Sequence, residues 1–142
     1  MTGQGKSAID TLLAESFKEL AKKHPIEKIT IKEITDLAGV IRPIFFNHFQ
    51  DKYELLEWII TTDLLDPIEP LIQNGMISEG LVLLFTNIEK DSEFYSRAIK
   101  LEGQNSFGEI AQSCVENESE QEPAMRIAIP NMLSFLATRT AD

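Results

Sequence analysis

The sequence predicts an all-α protein with two parts, a three-helix N-terminal domain at residues 1–51 and a helical C-terminal domain at residues 52–142. Three observations support this. Apolar residues recur every three or four positions, which is the spacing of a helix that buries one face. Val and Thr do not form the alternating runs that are typical of strands, and Gly and Pro are thinly spread. The apolar fraction of 43% suits a folded globular chain rather than a disordered one.

The first helix is predicted at about residues 7–23. Pro25 ends it, because the residue before a proline avoids the α region. Lys18 points away from the apolar stripe and is expected on an ordinary solvated face. The stripe that should be buried consists of Ile9, Leu13, Phe17 and Leu20.

Residues 29–49 are the central stretch of the chain and are predicted to form two short helices joined by a tight turn. Thr30 can N-cap the first of them, and Glu33 three residues later completes a capping box. Gly39 suits a helix that ends in a left-handed residue. Pro43 fits the first turn of the second helix, where a missing N–H costs nothing. This layout is a helix-turn-helix, and in DNA-binding proteins its second helix enters the major groove.

A long helix is predicted from about Lys52, with Asp51 as its N-cap. Pro67 and Pro70 are expected to end or bend it, so the boundary between the two domains is placed on this helix. Asn74 and Gly75 form a turn. The later predicted segments are helices at about 78–90, after an Asp91-Ser92 cap, at 107–115 and at 124–138, with an acidic solvated loop at 116–122.

Composition and charge narrow the possible function. The net charge of −10 argues against nonspecific nucleic-acid affinity for the whole molecule. It is unevenly spread: residues 1–58 hold eight basic and nine acidic residues, a net of −1, and residues 59–142 hold five basic and fourteen acidic residues, a net of −9. This asymmetry fits a DNA-facing domain on an acidic body.

No catalytic or metal-binding pattern stands out in the chain. The two histidines, His24 and His48, have no Cys, His or Asp at metal-ligand spacing. The single cysteine, Cys114, cannot form an internal disulfide, which favours a reduced cytoplasm. We therefore expect no enzyme, no metal and no cofactor. The N-terminus lacks the apolar core of a signal peptide, and no apolar run reaches the length of a membrane span.

Residues 6–58, roughly two fifths of the chain, resemble the N-terminal domain of the tetracycline-repressor (TetR) family. That family's pattern is approximately T-x-x-x-I-A-x-x-A-G-V-S-x-x-x-F-Y-x-H-F-x-x-K-x-x-L. The segment FQDKYELLEWI is also similar to a subgroup that includes dihydroxyacetone-kinase regulators. The matching residues are Thr30, Ala38-Gly39-Val40, Phe45-Phe46-Asn47-His48-Phe49, Asp51-Lys52 and Leu55-Leu56.

The resemblance implies DNA-contacting roles for particular residues. His48 and Lys52 match family positions that contact the phosphate backbone. A lysine in the first turn of a helix is unfavourable for the helix dipole, which makes a structural role for Lys52 less attractive. Arg42 lies where the reading helix contacts base edges, and Asn47 can pair with adenine or a phosphate. The complete candidate set is Thr30, Arg42, Pro43, Ile44, Phe46, Asn47, His48 and Lys52.

Three positions depart from the family pattern. Ile41 replaces a Ser or Thr that caps the reading helix, and its side chain cannot accept a hydrogen bond. Ile44 replaces a frequent Thr, and Phe46 replaces a Tyr whose hydroxyl reaches a phosphate. The exposed face of the reading helix is thus expected to carry Pro43, Ile44 and Phe46. These apolar groups either touch thymine methyls or meet a protein.

The resemblance also implies a function for the whole chain. The expected protein is a sequence-specific transcription regulator, a repressor, that binds a double-stranded DNA operator as a homodimer. A small-molecule effector would bind in the C-terminal domain, and the apolar helix at 124–138 would form the dimer contact. That domain is short for the family. The alternative is a helix-turn-helix scaffold that serves protein–protein interaction as a co-regulator without reading DNA.

Overall fold

The computed structural model describes residues 7–101, and this part of the chain is all-α, as predicted, with no strand. The predicted helices at 107–115 and 124–138, the loop at 116–122 and Cys114 lie outside the described residues. Within 7–101, no helix is long and apolar enough to cross a membrane. The elements are α1 (Ala8–Ala21), a 3₁₀ turn (Ile26–Lys28), α2 (Ile31–Ala38), α3 (Arg42–His48), α4 (Lys52–Ile60), a π segment (Thr61–Leu65), α5 (Asp66–Gln73), α6 (Ile77–Lys90) and α7 (Ser92–Ala98).

Side-chain hydrogen bonds cap the starts of α1 and α2, and the cap at Thr30 is the predicted one. The Ser7 side chain accepts a hydrogen bond from the Asp10 N–H at the start of α1. The Thr30 side chain accepts from the Glu33 N–H at 3.1 Å, and the Glu33 carboxylate accepts from the Thr30 N–H at 2.9 Å, which completes the capping box. These bonds satisfy N–H groups that a helix start leaves without partners.

The helix that begins at Lys52 continues through both prolines instead of ending at them. Backbone angles stay α-helical at the junctions of α4, the π segment and α5, so the helical path runs from Lys52 to Gln73. Pro67 has no N–H to donate to the carbonyl of Asp63, four residues earlier. The wider π turn accommodates this, and the Asn87 side-chain amide donates to the Asp63 carbonyl at 3.2 Å instead. The helix therefore does not end at the prolines, and the structure has a π segment held by α6 just before Pro67.

One continuous core joins the N-terminal helices to the later ones. Phe17 of α1 packs edge-on against Phe94 of α7, with ring centroids 5.8 Å apart, and both rings are buried. Gly80 allows α6 to approach α5 closely, since a Cβ there would lie 2.8 Å from the Ile72 Cδ1 atom. The core therefore contains residues from both sides of the predicted domain boundary at residue 52. The division into two domains stays a prediction.

Lys18 is not on a solvated face, so that expectation is wrong. Its ammonium group binds the Asp63 carboxylate of the π segment at 2.5 Å and the Asp91 carboxylate before α7 at 3.0 Å. Burial pulls the pKa of Lys18 down, but the hydrogen bonds and charges of the two carboxylates more than offset this, and the pKa lies above its ordinary 10.5. The predicted role of Asp91 as a side-chain cap is absent, because its carboxylate is turned to Lys18.

Candidate nucleic-acid interface

The turn between α2 and α3 has the geometry of a helix-turn-helix. Gly39 is left-handed, with φ 75° and ψ 28°, and its N–H and that of Val40 return to carbonyls of the last turn of α2. Ile41 then occupies the N-cap of α3 in an extended conformation, and no side-chain hydrogen bond caps the helix. Arg42 and Pro43 begin α3. The structure thus has the predicted turn, and α3 lacks a side-chain cap, as predicted.

One face of α3 is buried and the other is exposed. Phe45 and Phe49 lie in the core, where the Phe49 ring also packs edge-on against Trp58 at 6.0 Å. Ile44 is half-buried, so the expectation that it belongs to the exposed face is only partly met. We call the surface formed by five exposed residues the reading face: Ile41, Arg42, Pro43, Phe46 and Asn47. His48, the last residue of α3, is exposed as well.

Arg42 and Phe46 are stacked on this face. The guanidinium carbon of Arg42 lies 5.7 Å from the centroid of the Phe46 ring, a cation–π distance, one helical turn away. The stacking holds the guanidinium beside the exposed phenyl ring. Its N–H donors can thus be presented to a base edge or a phosphate with a smaller loss of side-chain freedom.

His48 has a protein partner that the sequence did not suggest. Its Nδ1 atom lies 2.7 Å from the Asp10 Oδ1 atom of α1, which is 38 positions earlier in the chain. Because a carboxylate only accepts, Nδ1 carries a proton in this contact. A neutral ring then offers a bare Nε2 acceptor, and Nε2 donates to a phosphate only when the ring carries both protons. The phosphate contact of His48 stays a prediction.

Lys52 has a structural role, although its place in the first turn of α4 had argued against one. Its ammonium group donates to three main-chain carbonyls at the 3₁₀ turn, those of Ile26 at 2.8 Å, Glu27 at 2.9 Å and Ile29 at 2.7 Å. An ammonium has three donors, so this arrangement uses all of them. Burial lowers the pKa of Lys52 from its ordinary 10.5, against the opposing charges of nearby carboxylates. Lys52 ties α4 to the turn that precedes α2, and its phosphate contact stays a prediction.

We expect Lys52→Ala to lower the free energy of unfolding by about 1–2 kcal/mol, because three carbonyls lose a charged donor. Urea denaturation followed by circular dichroism measures this change. The matched control is Lys32→Ala, which removes an exposed lysine from a surface pair with Asp36 and should change stability much less. Equal stabilities of the two variants would show that the carbonyl contacts contribute nothing.

Thr30 is also engaged within the protein. Its hydroxyl lies 3.1 Å from the Glu33 N–H and 3.1 Å from the Glu33 carboxylate. The hydrogen bonds from the Thr30 backbone and side chain hold the pKa of Glu33 below its ordinary 4.5. The capping role is confirmed, and a DNA contact by Thr30 is a prediction.

The body of the described chain carries an open groove along α6. It has a volume of about 440 Å³ and is lined by Ser78, Glu79, Val82, Leu83 and Thr86. The groove is not lined by the aromatic residues of this part of the chain: Phe94 and Tyr95 are buried in the core, and Trp58 packs on Phe49. Phe107, Met125 and Phe135 lie outside residues 7–101. No cluster of three or more potential metal ligands occurs within that range.

Comparisons with known proteins agree with this geometry. Residues 16–59 match the family model described as bacterial regulatory proteins, tetR family. The chain is 28% identical over 86 residues to the HTH-type dhaKLM operon transcriptional activator DhaS of Lactococcus lactis subsp. lactis, a match that covers 61% of this chain and 46% of that protein. The chain thus spans about half the length of the curated relative it matches.

The fold has a counterpart among solved structures. The structure of a dihydroxyacetone kinase operon activator, DhaS, aligns with a TM-score of 0.62 and 19% identity, over 94% of this chain and 82% of that one. This likeness shows a shared fold, and the sequence match shows homology. The resemblance and the all-α fold predicted from the sequence are both confirmed. Residues 16–59, which contain the helix-turn-helix, thus match the tetR family of bacterial regulatory proteins, on a chain homologous to an operon activator.

Proposed function

We propose that this protein is a sequence-specific, DNA-binding transcription regulator. The observation that carries the proposal is the reading face of α3, which follows a left-handed Gly39 turn within the segment that matches the tetR family model. Arg42 and Asn47 supply base-reading donors and acceptors at exposed positions of a helix that fits the major groove.

The proposed partner is a double-stranded operator, bound by a homodimer in the cytoplasm. Two copies would place two α3 helices in successive major grooves, and this requires half-sites about one helical turn apart. The proposed dimer contact is the apolar stripe of residues 124–138, which would otherwise be left in water. A small-molecule effector in the C-terminal part would control the spacing of the two heads.

Two observations bear on whether the protein represses or activates transcription, and they disagree. The resemblance to tetracycline repressors favours repression, whereas the related DhaS protein is named as an activator. The proposal therefore assigns a regulator, and a promoter fusion measured with and without the protein determines the sign. Loss of the protein raises expression under repression and lowers it under activation.

Arg42→Ala tests the reading helix directly. If Arg42 contacts a guanine edge, the variant should lose about 1–3 kcal/mol of specific binding and tolerate other bases at one position. If it contacts a phosphate, all sequences should weaken alike, and the salt slope should fall by about one unit. Fluorescence anisotropy over a salt series distinguishes the two. The control is Lys90→Ala, which removes an exposed positive charge at the end of α6, far along the chain from α3, and should leave affinity unchanged.

The second candidate function is protein interaction through the same face. It is favoured by the exposed Ile41 and Phe46 side chains and by the engagement of Lys52 with backbone carbonyls. A protein-binding face predicts that Arg42→Ala leaves DNA retention and its salt dependence unchanged, whereas a DNA-reading face predicts a loss of affinity.

A further inference from the structure

We propose that the reading face recognises the C5 methyl groups of thymine through Ile41 and Phe46. The operator would then be specified by methyl contacts in addition to hydrogen bonds. This inference rests on the proposed function and names the base feature that the same face selects.

The first support is the exposure of two large apolar side chains that are not part of the hydrophobic core. Ile41 is 67% exposed and Phe46 is 47% exposed. The buried side of the same helix is already filled by Phe45 and Phe49. Ile41 moreover occupies the N-cap, where a Ser, Thr, Asp or Asn would stabilise α3 by a side-chain hydrogen bond. Position 41 thus offers an apolar surface at the expense of a helix cap.

The second support is the presence of a polar amide beside these apolar groups. Asn47 lies on the same face, and an asparagine amide pairs with the N6 and N7 atoms of adenine. Thymine, the partner of adenine, presents its methyl group in the same groove. A face that combines an amide with apolar groups therefore complements A·T pairs, since it supplies a counterpart to both edges of the pair.

The third support favours DNA over a protein as the occupant. The Arg42 guanidinium is stacked over the Phe46 ring, so a positive charge accompanies the apolar surface. The major groove offers methyl groups beside base acceptors and phosphates, which matches this combination. A specific protein interface needs about 800 Å² from each partner, whereas here the apolar strip belongs to a helix of seven residues and its N-cap.

The test removes the methyl group and leaves the base pair intact. The full-length protein is bound to its selected duplex, and each thymine in turn is replaced by deoxyuridine. We expect the dissociation constant to rise about threefold to fivefold at one or two positions in each half-site, as for the loss of one buried methyl group. A cytosine placed at such a position should regain affinity when it is 5-methylated.

Protein variants assign the effect to the two side chains. With Phe46→Ala or Ile41→Ala, thymine and deoxyuridine should bind equally at the position that the missing side chain contacted. Both positions are exposed, so the variants should fold normally, as checked by circular dichroism. A deoxyuridine penalty that persists in both variants would mean that the methyl group acts through DNA shape, which would overturn the inference.

Two outcomes separate this inference from the function on which it rests. Sequence-specific binding with no deoxyuridine effect at any position would overturn the methyl contact and leave the regulator function intact. If the folded protein prefers no duplex at all, the proposed function fails and the inference fails with it.

Discussion

Lys18→Met should lower the free energy of unfolding by about 2–3 kcal/mol, because it leaves two partly buried carboxylates without their charged hydrogen-bond donor. The Lys18 side chain is only 12% exposed, and its ammonium joins α1 to the π segment and to the start of α7. Methionine keeps the apolar stem but removes the ammonium. Asp63 and Asp91 are then left facing each other as like charges, which adds to the loss.

Urea denaturation measures this change, and two variants control it. Lys22→Met removes a neighbouring exposed lysine whose partner is Glu19 on the same helix, and it should leave the midpoint nearly unchanged. Adding Asp63→Asn to Lys18→Met should recover part of the stability, because one of the two like charges disappears. A Lys18→Met protein as stable as the wild type would contradict the structural role of this cluster.

The same cluster sets the sign of a pH effect. The folded-state pKa of Lys18 is raised above 10.5, so the folded protein holds this proton more tightly than the unfolded chain. The stabilisation is fully present below pH 10.5 and is lost as the pH rises through the higher folded-state pKa. Lys18→Met should therefore lose less stability than the wild type over that alkaline range.

Phe46→Asp should reduce affinity for the selected operator by about 100-fold or more. The change removes the phenyl ring from the reading face and adds a carboxylate where DNA presents acceptors and phosphates, and such like-charge contacts cost several kcal/mol. Phe46 is exposed, so the fold should survive. Electrophoretic mobility shift at low salt provides the measurement.

The matched control for charge is Ser78→Asp, which adds one negative charge at the exposed first turn of α6. It should reduce affinity only slightly, because the charge lies on the body. If Ser78→Asp and Phe46→Asp weaken binding equally, net charge and not the reading face would explain the effect.

Local features of the fold were predictable from the sequence, because the residues that determine them are close together in the chain. The Thr30–Glu33 capping box, the Asp51 N-cap and the left-handed Gly39 turn each depend on residues at most five apart, and all three are present. The inward positions of Phe45 and Phe49 also followed, from a helical spacing of four.

Contacts between distant parts of the chain were not predictable in the same way. Lys18 meets Asp63 across 45 positions and Asp91 across 73, and Lys52 meets carbonyls 23 to 26 positions earlier. Asp10, the partner of His48, carries no local signal at all. A charged residue in a helix is by default solvated, and only the tertiary arrangement shows which residues have partners.

Pro67 shows how a correct local rule can leave the outcome open. Proline does remove the N–H that would bind the Asp63 carbonyl, but the π segment and the Asn87 amide compensate for that loss. The compensating residue lies on α6, 20 positions later, so the sequence around Pro67 could not reveal that the helix continues.

Selection from a pool of random duplexes at low salt tests directly whether this chain reads DNA sequence through α3. We expect enrichment of one sequence with two related half-sites, about one or more helical turns apart, and loss of that enrichment with Arg42→Ala. A folded wild-type protein that enriches no sequence would contradict the claim, and protein interaction through Ile41 and Phe46 would then be the better account of the same face.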